Sequence, residues 1–237
     1  MNRGFLYGDG FFESIRIVDG NMPLLTFHLE RIYDALEIYQ IYPNFDVSEE
    51  FIQGIAETYE PNGILRINFF RDGEGRYTPE SNGLAFDHSF RLTEDEFNLP
   101  TGLDLASELD RMPILKGKIG LYPKSKPNED WLTVKSLSSI YYVIASNFKK
   151  MNKLDYLFLA NAQKELCEEV SSNIFLKKGE EITIPKLSAG GVNGVTQRYL
   201  METYGFQIKE QSITYDDLDS FEHVFLSRGT VGVFRIK

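Results

Sequence analysis

Gly8-Asp9-Gly10-Phe11-Phe12-Glu13-Ser14-Ile15-Arg16-Ile17-Val18 places two glycines around an acidic residue, ahead of a run of β-forming side chains. Such a run reads as a strand. Asp19-Gly20-Asn21 after it supplies tight-turn chemistry, so Gly10 to Leu25 is expected to form a hairpin. Thr26 can cap a helix that starts beside it, and Leu29, Ile32, Tyr33 and Leu36 recur at the spacing that predicts one over 27–39. A second helix is expected from Ser48 to Tyr59, then a strand at Ile64–Phe70, a loop punctuated by Gly73 and Gly75, and a strand around Leu84–Leu92.

Thr93–Gly102 is polar and acidic, lacks either periodicity and ends in Pro100-Thr101-Gly102, which reads as a linker. The reading is an N-terminal α/β domain at 1–95, a linker at 96–102, and a C-terminal domain at 103–237 that holds Lys135. In the latter, a strand is expected at Leu103–Leu109, a Gly/Lys/Pro-rich loop at Pro113–Asp130 and a helix over Ser138–Phe148. Further strands are expected at Leu157–Ala160, Asn173–Leu176 and Ile182–Ile184. A glycine-rich loop (Ala189–Val195) opens a helix to Tyr204, and strands near Phe206–Ser212 and Val224–Leu226 complete an α/β (α+β) pattern.

The 237 residues carry 25 Lys+Arg against 35 Asp+Glu, a formal charge of −10, with 42% hydrophobic and 14% aromatic side chains. This composition excludes disorder, collagen and a disulfide scaffold. It also opposes binding to nucleic acid or to an anionic membrane, so a phosphate-bearing ligand needs a local site. Cys167 is the single cysteine and the three histidines are scattered, so neither a disulfide nor a metal centre is expected. The longest apolar stretch, Ile140–Ala145, is too short for a membrane span, and Met1–Gly10 does not read as a leader, so the expected location is cytoplasmic.

Four features carry chemistry. The loop Ala189-Gly190-Gly191-Val192-Asn193-Gly194-Val195-Thr196 leads into a helix, where free amides and the helix dipole favour an anion; it reads as a phosphate cradle or as an ordinary tight turn. Lys135 lies in the apolar segment Trp131-Leu132-Thr133-Val134-Lys135-Ser136-Leu137, as a nucleophilic lysine or as one that snorkels to water. Glu168-Glu169 precedes a small-residue turn into Asn173-Ile174-Phe175, facing a cofactor or solvent. Arg31 lies three residues after His28 on one helical face.

Taken in order, these segments resemble the class IV aminotransferase family. These are the fold-type IV pyridoxal-phosphate enzymes, which include branched-chain aminotransferases, D-amino-acid aminotransferases and 4-amino-4-deoxychorismate lyases. Gly8-Asp9-Gly10-Phe11-Phe12-Glu13 is similar to the family's GDGxFE strand, and Phe27-His28-Leu29-Glu30-Arg31 to the helix with its phosphate-binding arginine. Val134-Lys135-Ser136-Leu137 is similar to the segment with the cofactor lysine, and Glu168, five residues before Asn173, matches the carboxylate that pairs with the pyridine nitrogen. Gly194-Val195-Thr196 resembles the GIT phosphate loop, with Gln197 where an arginine is usual, and Ser227-Arg228-Gly229-Thr230 occupies the second phosphate segment.

The resemblance implies a two-domain α/β homodimer with a smaller N-terminal domain and a larger C-terminal pseudo-barrel, binding pyridoxal 5'-phosphate. It implies Lys135 as the catalytic residue and Arg31, Glu168, Gly194, Val195, Thr196 and Thr230 as cofactor contacts. Phe12 and Arg76 are implied to bind a small carboxylate substrate, with no metal. Thr78 stands where D-amino-acid aminotransferases have a histidine, and Ser139-Ile140 where branched-chain aminotransferases carry Asn-Tyr. By elimination, the lyase that makes 4-aminobenzoate and pyruvate for folate synthesis leads. The alternatives are a branched-chain or D-amino-acid transaminase and a non-catalytic ligand-binding relative. The family's strand pair ahead of GDG has no counterpart in this sequence, and Leu115–Asp130 reads as a mobile cover or a loose loop.

Overall fold

The computed structural model describes residues 2–237, which divide into two compact units. The first runs to Glu96 and takes in Val134–Ser139; the second comprises Phe97–Thr133 and Ile140–Lys237. The first unit holds α1 (Arg3–Tyr7), β1 (Gly10–Ile17), α2 (Leu25–Tyr39), α3 (Glu49–Ala56), β2 (Gly63–Arg71) and β3 (Leu84–Leu92). The strands form an antiparallel sheet in the order β1-β2-β3. Ile15 and Ile17 of β1 and Leu65, Ile67 and Phe69 of β2 pack against Leu29, Ile32 and Leu36 of α2 and Ile52 of α3. Because side chains alternate across a strand, Phe12 of β1 and Arg66 and Asn68 of β2 fall on the sheet's other, half-buried face.

The expected hairpin over Gly10–Leu25 does not form. The turn exists, with Val18 bridged to Asn21 and left-handed backbone at Asp19 (φ 48°) and Gly20 (φ 78°). Pro23, however, has no amide to give a ladder, and α2 begins two residues later, so β1 takes its eight-residue partner from β2. Thr26 lies inside α2, whose N-cap is Leu24.

Val134–Ser139 docks on the free edge of β1, away from β2. The Phe12 amide donates to the Lys135 carbonyl (2.8 Å), the Leu137 amide donates to the Gly10 carbonyl (3.0 Å), and Phe11 bridges Ser136. Here the two glycines have their purpose. A Cβ on Gly8 (φ +66°) would overlap Ser138 Oγ and stand 2.9 Å from Ser138 Cα, and one on Gly10 would overlap the Phe69 carbonyl. The Lys135 segment, placed by the sequence reading in the C-terminal domain, therefore groups with the first unit.

The second unit contains α4 (Leu105–Asp110), β4 (Ile114–Leu115), β5 (Ile119–Leu121), α5 (Ile140–Met151), β6 (Tyr156–Ala160) and β7 (Leu166–Glu169). After these come β8 (Asn173–Lys178), β9 (Glu181–Pro185), α6 (Val195–Tyr204), β10 (Ile208–Gln211), β11 (His223–Arg228) and β12 (Gly232–Ile236). A six-stranded sheet runs β10-β9-β8-β11-β12-β4, and a three-stranded one runs β5-β6-β7. The strand expected at Leu103–Leu109 is α4 instead. Asp104 accepts from the Ser107 amide at 2.9 Å and caps a turn whose Leu105, Ala106 and Leu109 are buried. The expected linker is also ordered, since Asn98 pairs with Val231 and Val233 around Gly232. Among the described residues no helix is long and apolar enough to cross a membrane.

Gly8→Ala is expected to cost about 1–3 kcal/mol through its left-handed backbone and the Ser138 contact. Gly54→Ala, in α3 with open space around it, is expected to be neutral or stabilising by about 1 kcal/mol. Urea unfolding midpoints compare the two, and a Gly8→Ala midpoint equal to wild type would remove the docking role.

Candidate functional site

In the first unit, β1 and α2 bury three ionisable side chains together. Arg31 donates to both oxygens of Glu13, Nε to Oε1 at 2.8 Å and Nη2 to Oε2 at 2.6 Å, a bidentate fork. His28 Nδ1 lies 2.6 Å from Oε2. Burial opposes the charge on Glu13, but Arg31 and then His28 outweigh it and hold the carboxyl at about 2. Burial also lowers the His28 pKa against the pull of Glu13. The ring is therefore neutral, with its proton on Nδ1 toward the carboxylate, which leaves Nε2 buried without a partner. Arg31, expected at a phosphate, is thus fixed in orientation by Glu13.

Beside β1, Lys135 Nζ stands 4.9 Å from the centroid of the Phe12 ring. The Arg66 guanidinium lies 3.7 Å from the same centroid and donates through Nε to Asn68 Oδ1 at 2.9 Å. Burial lowers the pKa of Arg66 against the opposing charge of Asp87. Arg76 is exposed; its backbone carbonyl, with those of Glu74 and Gly75, accepts from buried Arg3. Asp9 pairs with Arg3 (2.8 Å) and Arg71 (3.1 Å), so the acidic residue between the two glycines anchors this loop.

In the second unit, consecutive carboxylates on β7 face opposite ways. Glu168 Oε1 accepts the Tyr142 hydroxyl of α5 at 2.6 Å, and Oε2 accepts the Val192 amide at 2.9 Å. Burial, then the charge of Glu168, raises the Tyr142 hydroxyl well above its ordinary value. Lys126 Nζ stands 3.6 Å from Glu168 Oε1. Glu169, also buried, accepts from the Ser171 amide and hydroxyl at 2.9 Å each and lies 3.8 Å from Lys149 and 3.7 Å from Arg228.

The glycine-rich loop is held by Asn173, whose Nδ2 donates to the Val192 carbonyl at 2.7 Å. A Cβ on Gly194 would overlap Asn173 Oδ1, so this glycine permits close packing on the asparagine. Gly194 is also the N-cap of α6 and offers no capping side chain. Two hydroxyls nearby are buried without a partner: Thr196 Oγ in the first turn of α6 and Ser227 Oγ on β11, in register with Asn173. An uncapped helix start and two orphaned donors fit a phosphate. Thr230 lies half-buried after β11, and Arg228 donates to Ser172 Oγ at 2.6 Å.

Lys126, Tyr142 and Arg66 escaped the sequence reading. Tyr142 belongs to an apolar helical stripe, Arg66 alternates with core residues on β2, and Lys126 sits among exposed neighbours, so none stands out by pattern. Among the described residues no cluster of metal-binding side chains occurs.

The family model described as Amino-transferase class IV matches residues 10–237. The chain is 28% identical to an aminodeoxychorismate lyase of Bacillus subtilis, over 85% of this chain and 67% of the relative. It is 27% identical to a D-alanine aminotransferase of Staphylococcus haemolyticus, over 95% of this chain and 78% of the relative. The branched-chain aminotransferase of Escherichia coli shares the fold, with a TM-score of 0.79 at 15% identity, covering 100% of this chain and 79% of that one.

Glu13 titrates near 4.5 when unfolded and at about 2 when folded. Its ionisation adds about 3 kcal/mol of stability that is present above pH ~5 and lost as pH falls toward ~2. Glu13→Gln is expected to lower stability at neutral pH by about 3–5 kcal/mol, because the buried ionic fork between Arg31 and Glu13 is lost. The variant's urea midpoint should then fall less steeply than wild type in acid. Parallel pH profiles would refute the assignment.

Proposed function

We propose that this chain, which belongs to the class IV aminotransferase family and so works with pyridoxal phosphate, is a 4-amino-4-deoxychorismate lyase. The observation that supports cofactor binding most directly is in the second unit. There the buried Glu168 carboxylate is tied through Val192 to a loop that ends in an uncapped helix start with the unpartnered hydroxyls of Thr196 and Ser227 close by. The lyase assignment draws on Thr78 and on Ser139-Ile140, which depart from the two transaminase patterns, and on the likeness to the Bacillus subtilis lyase.

When bound, the cofactor supplies an electron sink for the electron pair left at the substrate α-carbon. Lys135 would be its attachment point and, once released, would hold and return a proton at the substrate. Glu168 would hold the pyridine nitrogen: Tyr142 and Val192 occupy two of the roughly four acceptor positions of a carboxylate and leave room for an N–H donor. The amides of Val195 and Thr196, the hydroxyls of Thr196 and Ser227, the Gly194 backbone and Thr230 would receive the phosphate, and the family resemblance implies Arg31 as a further cofactor contact. Arg66, stacked on Phe12, would orient a substrate carboxylate alongside Arg76.

A transaminase is the second reading, favoured by the near-equal identity to D-alanine aminotransferase. Purified protein mixed with pyridoxal phosphate is expected to show a visible absorption band that Lys135→Ala lacks. With 4-amino-4-deoxychorismate the wild type should release 4-aminobenzoate and pyruvate, and a mixture of L- and D-amino acids should leave the band in place. Bleaching of the band to the cofactor's amine form would make the chain a transaminase, and absence of any band in wild type would overturn both readings.

A further inference from the structure

The stretch 115–130 is neither a mobile cover nor a loose loop. The Tyr122 and Lys126 amides donate to the Phe158 and Ala160 carbonyls of β6 (2.8 Å each), the Tyr141 hydroxyl holds the Lys124 carbonyl at 2.9 Å, and Asn128 holds the Ser188 carbonyl at 2.8 Å. This pinning turns the Lys126 side chain inward until its ammonium is fully covered. It donates to the Gly190 carbonyl, stands 3.6 Å from Glu168 Oε1 and lies 5.8 Å from the centre of the Tyr142 ring.

A carboxylate removed from water takes up a proton unless a counter-charge or donors hold it ionised. Tyr142 and Val192 give Glu168 hydrogen bonds but no net charge, and the titratable groups around it include Tyr141, Tyr142 and Cys167, none of them cationic. Lys126 brings the charge. We propose that Lys126 is a positioning residue for the cofactor ring: its ammonium is the counter-charge of the buried Glu168 carboxylate, and its bond to Gly190 fixes the loop whose Val192 amide holds the carboxylate's other oxygen. The inference rests on the reading of Glu168 as the partner of the pyridine nitrogen.

The test compares Lys126→Met, which removes the charge, with Lys126→Arg, which keeps it, in wild-type and Glu168→Gln backgrounds. Two measurements are made on each: the dissociation constant of pyridoxal phosphate by absorbance titration, and difference infrared spectra of the cofactor-free protein. Lys126→Met should weaken cofactor binding by about tenfold or more. It should also show a protonated-carboxyl signal at neutral pH that disappears in Lys126→Met/Glu168→Gln, while Lys126→Arg stays near wild type on both counts. Should the methionine variant fail to fold, Lys126→Gln, which retains a donor for Gly190, is read in the same way. Wild-type affinity in Lys126→Met, no carboxyl signal, or an equal loss of affinity in the Glu168→Gln background would overturn the proposal. If wild type takes up no cofactor, the functional reading fails on its own, and the infrared comparison still decides whether Lys126 is the counter-charge of Glu168.

Discussion

The placement of Lys135 depends on a contact made by backbone rather than side chains. Val134–Ser139 leaves the body of the second unit, lies along the open edge of β1 through the Phe12 and Leu137 amides, and returns into α5. A backbone pairing of this kind specifies position without specifying sequence, so the constraint falls on what must be absent: the side chain that Gly8 lacks beside Ser138, while Gly10 gives the same close approach to β2. Asp9 between them serves a separate purpose, drawing Arg3 and Arg71 together and, through Arg3, the carbonyls of the 74–76 loop. Six consecutive residues of the motif thus divide the labour of seating Lys135, shaping a loop and, through Glu13, orienting Arg31.

A second constraint is the number of buried carboxylates. Glu13, Glu168 and Glu169 are each nearly inaccessible, and each faces a cation: Arg31, Lys126, and Lys149 with Arg228. Apolar replacements of such pairs are often as stable or more so, so stability alone gives no reason to retain them. Glu169 has a structural explanation, since it staples the Ser171–Ser172 turn that leads into β8. Glu13 and Glu168 differ: Glu13 orients Arg31, and Glu168 is itself the group proposed to meet the cofactor ring.

Much of this was legible in the sequence, for reasons that can be named. α2 and α6 announced themselves through helical periodicity and a glycine-rich start, β2 and β3 through β-forming runs. The motif residues were read as a set because their order and spacing, rather than any one identity, carry the resemblance. The failures share a cause: local pattern was outvoted by what lay distant in the chain. Asp19-Gly20-Asn21 makes its turn, but Pro23 and the waiting edge of β2 deny it a return strand. Leu103-Asp104-Leu105 alternates like a strand until Asp104 caps a helix. Lys126 could not be seen at all, because a lysine flanked by exposed residues carries no sign that tertiary pinning will bury it.

A chain of net charge −10 that takes a dianionic cofactor and a carboxylate substrate has to overcome its own long-range field. Solvent resolves the conflict by distance. Exposed acidic residues are screened over about 8–10 Å at ordinary ionic strength, whereas a half-buried guanidinium or a covered helix start acts in a low-dielectric setting where each charge or dipole counts for more. Arg66 on Phe12, Arg31 held by Glu13, and the amides opening α6 are all sheltered in this way, while the many carboxylates of the loops are not. Overall acidity therefore acts at long range, and a handful of sheltered cationic and dipolar groups is what can act at short range on the small anion proposed for the site. The same shelter explains why burial, more than residue type, distinguishes Arg66 from the exposed Arg76: a guanidinium can form a fork on a carboxylate, and only that of Arg66 is already held against an aromatic ring.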